Sequence, residues 1–302
     1  MKKSNLSTAL QNGAKRITTG IALVLVTAFM APAATATTIV NLGTASSFAI
    51  LAGSAITDAG GASSIVTGDV GLYPATGAAI GLTAAQVSGG TVFTAETSGG
   101  LLTSAKNDLT AAYIDAASRP VTIDFGVTDN QLGGKILLPG VYSFGHAATA
   151  NLIGTLTLDA NGDPNAVWIF QASSDFVTAA GAPGAAGSSV ALINGADPCG
   201  VFWQVGSSAT IGTYSDFAGN IMADQSIALQ SYATLHGSAF ARIAAVTLDH
   251  NTITGGLCAD GGGSSVPEGS TTLFLLGSGM MGLFAFGRRS ISPLNRRSVA
   301  SK

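Results

Sequence analysis

Charge is sparse in this sequence. Asp, Glu, Lys and Arg together make up 10% of its 302 residues, and glutamate occurs only as Glu96 and Glu268. Nine of the 13 basic residues lie in the two end segments: Lys2, Lys3, Lys15, Arg16, Arg288, Arg289, Arg296, Arg297 and Lys302. Residues 37–265 keep Lys106, Arg119, Lys135 and Arg242 against fifteen carboxylates, a net charge of −11. Such a surface repels phosphate backbones, which excludes nucleic acid as a partner class. Enzymes that cleave polysaccharides need clustered carboxylates with cationic or metal help, or an acid of raised pKa. With glutamate almost absent and four scattered cations, no such cluster is visible, and no nucleophile–base order stands out. His146, His236 and His250 are far apart and lack zinc-ligand spacing. Asp159, Asn161 and Asp163 alternate as at the start of a calcium loop. Pro164 holds the sixth place, however, and no Glu follows at the twelfth, so the stretch reads as a tight turn between strands. We expect no catalysis, no cofactor and no metal.

Cysteine is nearly absent too. Cys199 and Cys258 are the two, and in an exported chain a pair is most simply one disulfide. Export is indicated at both ends. Lys2, Lys3, Lys15 and Arg16 precede the apolar run Ile17–Met30 and the small-residue stretch "APAATA", the layout of a secretory signal peptide cleaved after about Ala36. Near the other end Val266, Pro267 and Glu268 precede an apolar run from Leu273 to Phe286, then Arg288 and Arg289. A positive cluster behind an apolar run stays on the cytoplasmic side. This tail resembles the PEP-CTERM sorting signal of Gram-negative bacteria, which implies cutting at the Pro-Glu site by an exosortase-type membrane enzyme and release to the cell surface or matrix. It departs from that pattern at Gly269, where a second Pro is commonest, and in continuing beyond the Arg pair. The expected organisation is residues 1–36 signal peptide, 37–260 one β-rich domain, 261–265 Gly/Ser linker, 266–289 sorting and membrane segment, and 290–302 polar basic tail.

What the middle does have is Gly, Ala, Ser and Thr around short apolar runs. "SFAILAG", "KILLPGVYSF", "GTLTLDA", "NAVWIFQ", "SSVALING" and "VFWQVG" read as strands bounded by turn residues. One segment, 95–120, steps its apolar residues by three and four (Leu101, Leu102, Ala105, Leu109, Ala112, Tyr113, Ala116), which predicts a single helix, with Thr103 or Ser104 as the cap of its main part and Pro120 as its stop. "ATIGTYSDFAGNIMA" (209–223) matches "IALQSYATLHGSAFA" (227–241) at an offset of 18, and "VTLDHNTIT" from Val246 is a partial third copy. A strand-like unit with this period is the mark of a β-solenoid.

These stretches in this order resemble the ice-binding protein-like family of bacteria and fungi over residues 40–257. "LGTASSFAILAGSAITDAG", "IVTGDVGLYP", "DLTAAYIDAASRP", "LGGKILLPGVYSF", "GTLTLDANGDPNAVWIFQ", "VFWQVGSSATIGT" and "AVTLDHNTIT" carry the likeness. The resemblance implies a mainly β fold: an irregular right-handed β-helix of triangular section with one long α-helix packed alongside. It also implies a secreted or cell-surface protein that holds an ice crystal surface on one flat face, without catalysis. A surface or matrix adhesin-like protein binding extracellular polysaccharide is the alternative, and a monomer is expected in either case. Apolar alternation turns Leu156, Leu158, Ile211, Ile227, Leu229, Val246 and Leu248 inward, leaving Thr155, Thr157, Ser208, Thr210, Ala228 and Thr247 outward as candidates for the ice face. Thr210, Ala228 and Thr247 align in the repeat and should form one column. The Thr-(Ala/Gly)-x-(Thr/Asn) motif of some ice-active relatives has one match, Thr94–Thr97. Tyr214, Tyr232, Gln230 and Asp249 would roughen the face if they project from it. Phe202 or Trp203 is expected between coils or under the helix.

Overall fold

A computed structural model describes residues 37–126, 129–145, 149–256 and 258. His146 and the sorting-signal residues Pro267, Glu268, Arg288 and Arg289 lie outside the described residues, as do the signal peptide, linker and tail.

The strands are short, two to five residues, and pair in parallel into three sheets of nine, six and eight strands. Six coils contribute one strand to each sheet, and partial coils at the two ends of the stack add the remaining strands, so the sheets are the three sides of a solenoid. The inward residues expected from alternation are all buried: Leu156, Leu158, Ile211, Ile227, Val246 and Leu248 have no exposed surface, and Leu229 has 1%. The repeat is a stacking repeat. Ala209↔Ile227, Phe217↔Leu235 and Ala223↔Ala241 are paired neighbours. Gly219 and Gly237 mark the shared corner with φ of +112° and +145°, and a Cβ on Gly237 would lie 2.2 Å from the Gly219 carbonyl oxygen. Only glycine allows coils to stack this closely there.

Aromatic rings fill the wide part of the interior. Phe170 stacks on Trp203 at 4.1 Å between centroids, and Phe176 and Phe217 each pack on the same indole at 4.8 Å. The buried Trp203 indole N–H donates to the Ala218 carbonyl at 3.0 Å and that of Trp168 to the Leu137 carbonyl at 3.1 Å, so neither polar atom is left without a partner. Phe202, one residue away, points to the other side of the strand, under the helix.

Chain order and stacking order differ. In the nine-stranded sheet the strand Phe48–Ala52 lies between Asp69–Leu72 and Ala239–Ala241, so the last coil of the chain packs against the first. The helix Ala95–Ser118 makes this possible by carrying the chain from one end of the stack to the other. Its 24 residues span about 36 Å, and eight strand spacings come to about 38 Å. Leu102, Ala105, Leu109, Ala112 and Ala116 form its buried stripe and pack on Phe48, Leu51, Val141, Ile169, Phe202, Met222 and Phe240 of the nine-stranded sheet. Leu101 is 39% exposed and stands outside the stripe. The helix starts at Ala95, eight residues before Thr103, with a kink at Ser98 just ahead of Gly99 and Gly100; the Thr103 hydroxyl caps nothing and donates back to the Gly99 carbonyl. Among the described residues no helix is long and apolar enough to cross a membrane.

Cys199 and Cys258 form a disulfide, Cα to Cα 5.3 Å. The Asp159–Asn165 stretch is a turn, in which Asp159 accepts from the Asn161 N–H and the Asn194 amide and Asp163 from the Asn165 N–H.

Candidate ice-contacting face

The helix covers the nine-stranded sheet and lies over neither of the other two. Of those, the six-stranded sheet is the more uniform. Its strands are three residues each; in five of them the outer two positions are buried and the middle one faces outward, and the sixth, Ile56–Asp58, keeps Ile56 buried and Thr57 exposed while Asp58 is part-buried. Register places Asn151, Val177, Thr210, Ala228, Thr247 and Thr57 side by side in that order. The column therefore runs across six strands, about 24 Å at the strand spacing, and holds no charged side chain. A second row follows the same ladder two residues earlier, because the amides of Phe176, Ala209, Ile227 and Val246 donate to the carbonyls of Ser208, Ser226, Ala245 and Ala55. The one carboxylate of this row, Asp175, is turned into the backbone, where it accepts the Ser208 N–H at 3.0 Å, and the Ser208 hydroxyl in turn accepts the Ser226 N–H at 3.3 Å.

The six sequence-derived candidates divide between two sheets. Thr210, Ala228 and Thr247 form the column, with Ser208 at its border. Thr155 and Thr157 do not join them: their strand Thr155–Asp159 belongs to the eight-stranded sheet, where Thr155 bonds the Ser189 hydroxyl at 2.8 Å and Thr157 lies beside Ala191. Alternation finds which residues point outward but cannot say which side of a three-sided solenoid they occupy. The same limit hid Thr57, Asn151 and Val177. Thr57 comes from the first coil and meets Thr247 only because the chain returns to it; Asn151 and Val177 lie before the clear copies of the repeat.

The eight-stranded sheet presents a rougher outer side. The side chains of Asp216 and His236 meet on it at 3.1 Å, and Ile65 and Ile136 are 53% and 69% exposed. Tyr214, Tyr232 and His250 stand at the corner between the two uncovered sheets rather than on the column. They sit in left-handed backbone (φ +55°, +61°, +55°) and stack on one another at 5.0 and 4.8 Å. Asp249 beside them accepts from Ser231 and pairs with His250, which holds its carboxyl below the usual range. Burial pushes Asp58 up, but donors from Ser64, Gln86 and Gly60 outweigh it and keep that carboxyl low as well. The Thr94–Thr97 motif is at the helix start, its hydroxyls bonded to each other at 3.0 Å, away from either uncovered sheet. Among the described residues no three His, Cys, Asp or Glu side chains come together as metal ligands.

Comparison with known proteins agrees with this architecture. The profile of the Ice-binding-like family matches residues 50–254. An ice-binding protein of Nostoc sp. (strain HG1) is 40% identical over 259 residues, covering 85% of this chain and 90% of that protein. One from Flavobacterium frigoris (strain PS1) is 36% identical, covering 72% and 76%. Among solved structures, an ice-binding protein from the Antarctic ascomycete Antarctomyces psychrotrophicus superposes with a TM-score of 0.62 at 37% identity, covering 72% of this chain and 98% of that one. A domain of Shewanella frigidimarina ice-binding protein 1 gives 0.63 at 29% identity, covering 73% and 98%. On its sequence and its fold, the chain belongs to the ice-binding-like family.

Proposed function

We propose that this protein binds the surface of ice crystals through the outer side of its six-stranded sheet, and that it does so without catalysis or a cofactor. The observation that carries this reading is the uncharged column from Asn151 to Thr57, in register over six strands and free of the helix. Neighbouring outward residues repeat at about 4.8 Å across strands and about 6.8 Å along them. Methyl groups of Val177, Thr210, Ala228, Thr247 and Thr57 shape a water layer, and the Thr hydroxyls and Asn151 anchor it. A charged group there would orient water too strongly to leave it ice-like. Each contact is weak, and adhesion comes from many of them made by a backbone that loses little freedom on binding.

The test compares two double variants of equal bulk. Thr210→Tyr with Thr247→Tyr is expected to abolish the shaping of a growing ice crystal, while Thr155→Tyr with Thr157→Tyr leaves it intact. The reverse result moves the site to the eight-stranded sheet, and an unchanged first variant removes the column from the account.

We further propose that the protein is exported and processed at both ends, acting at the cell surface or in the extracellular matrix, with an exosortase-type enzyme handling Pro267–Glu268. Support comes from the three-part start and from the apolar run closed by Arg288 and Arg289. Intact mass of the protein from its native host is expected to lack residues up to about Ala36 and the segment beyond the Pro-Glu site; a C-terminus past Arg289 contradicts the second cut. A matrix protein holding polysaccharide is the reading left if round ice crystals persist at high protein concentration.

A further inference from the structure

We infer that the Cys199–Cys258 disulfide is the point where tension on the C-terminal segment enters the fold, and that it shields the last coil from being peeled away. The inference rests on the proposed surface role only in supposing that such tension arises in use.

The last coil is placed where tension would do most harm. Its strands Ala239–Ala241, Val246–Leu248 and Thr252–Thr254 are wedged between the coil before them and the first coil of the chain. Removing it would part the first coil from the rest and leave only the helix to join them. Its final strand is weakly placed to resist. Thr252–Thr254 has three residues, paired with Thr234–His236 on one side and Ile65–Thr67 on the other. A chain pulled from its end along the solenoid axis breaks those bonds one after another rather than together. Two glycines then take the backbone out through the corner: a Cβ on Gly255 would lie 2.4 Å from the Gly237 carbonyl oxygen, and one on Gly256 2.1 Å from that of Ser47.

Cys258 follows at once, and 44 residues remain beyond it. Its partner is not in a neighbouring turn. Cys199 belongs to the corner between Ser189–Ile193 and Val201–Val205, three coil spacings back along the same edge of the solenoid, about 14 Å. On both sides of Cys199 the chain is gripped far better. Asp197 fixes the Pro198–Gly200 turn through the Cys199 N–H at 2.8 Å. Val201–Val205 is fully buried, five positions in register with Trp168–Ala172 and four with Asn220–Ala223, and it carries Trp203 at the centre of the aromatic stack. With the bond closed, force applied beyond Cys258 enters the fold at Cys199 and continues along the chain toward Ser189–Ile193, a strand five positions in register with Thr155–Asp159; Val201–Val205 holds the corner in place from the other side, and the last coil is off the covalent path of the load.

Single molecules of the chain from Thr37 to Lys302, held at both termini, test this by their extension under a force ramp, where rupture reports unfolding rates rather than equilibrium stability. Oxidised molecules are expected to reach their main rupture with no earlier step at the C-terminal side. After reduction, an early step of about 70 Å, the extended length of residues 239–258, should appear at no more than half the main rupture force. Cys199→Ser with Cys258→Ser should behave as the reduced protein does. Reduced molecules that rupture at the oxidised force without an early step overturn the inference, as does an early step of that length in the oxidised form. Ice shaping by the oxidised protein is read separately, so failure of the functional proposal and failure of this one are distinct results.

Discussion

Lys106 offers a quantitative check on how the helix is held to the solenoid. Its ammonium group is largely buried between the helix and the nine-stranded sheet, donating to the carbonyls of Ala241 and Arg242 at 2.9 and 2.6 Å. Burial, helped by the nearby Arg242 guanidinium, lowers its pKa to about 8 from 10.5. The folded state thus releases this proton before the unfolded chain does. Below about pH 8 both states are charged and the fold carries the full cost of the buried cation. Between 8 and 10.5 the unfolded chain binds more protons, so stability rises with pH. Tyr113 and Tyr142 work the other way: burial raises both, so the fold favours their protonated forms and loses stability as pH climbs past 10. The window from pH 8 to 9.5 therefore isolates the lysine. At 1.36 kcal/mol per pKa unit, the expected gain there is about 2 kcal/mol at most. Lys106→Met fills the same space and cannot titrate. Urea unfolding at constant ionic strength should show the wild-type midpoint rising across the window and the variant's staying level. Disulfide exchange does not intrude, since the only two cysteines are bonded to each other. A wild-type stability that is flat or falling, or a variant with the same slope, refutes the assignment.

Two further substitutions probe the stack itself. Gly237→Ala forces a methyl against the Gly219 carbonyl in a backbone conformation closed to L-residues and should cost about 3 kcal/mol or more, whereas Gly134→Ala, with φ +79° but open space around it, should cost only about 1–2 kcal/mol; equal losses in melting temperature would show that coil contact at the Gly219–Gly237 corner is looser than described. Trp203→Ala empties the centre of the aromatic stack and leaves the Ala218 carbonyl without its donor, an expected loss of about 3–5 kcal/mol by denaturant unfolding, and a loss under 1 kcal/mol would mean the interior repacks freely.

Period and alternation made much of this architecture legible. The 18-residue match put Thr210 beside Ala228 and Gly219 beside Gly237, because a solenoid imposes the same steric demand on every coil. The helix was legible from its stripe, and the segment 95–120 has the observed start at Ala95; what was not legible is that the chain stays helical past the kink at Ser98 through Gly99 and Gly100, so that the Thr103 hydroxyl turns back to the Gly99 carbonyl instead of capping the main part. The side each strand occupies was hidden, since turning a corner leaves no sign in inward–outward alternation, and Thr155 and Thr157 were grouped for that reason with residues of another sheet. Pairing of the first coil with the last was hidden as well. Nothing local in Ile56–Asp58 foretells Val246–Leu248 as its neighbour, and with it went Thr57, the end of the candidate column. Tyr214 and Tyr232 looked like obstacles on the face; stacking in a left-handed corner removes them from it.

The central claim is that the regular, uncharged column on the six-stranded side of this solenoid adheres to ice. A single ice crystal grown in a solution of residues 37–258 tests it most directly. Growth that halts or becomes faceted as protein concentration rises, with a gap opening between melting and freezing temperatures, is the predicted result. A crystal that stays round and grows at the rate seen in buffer, with the protein folded and concentrated, contradicts it.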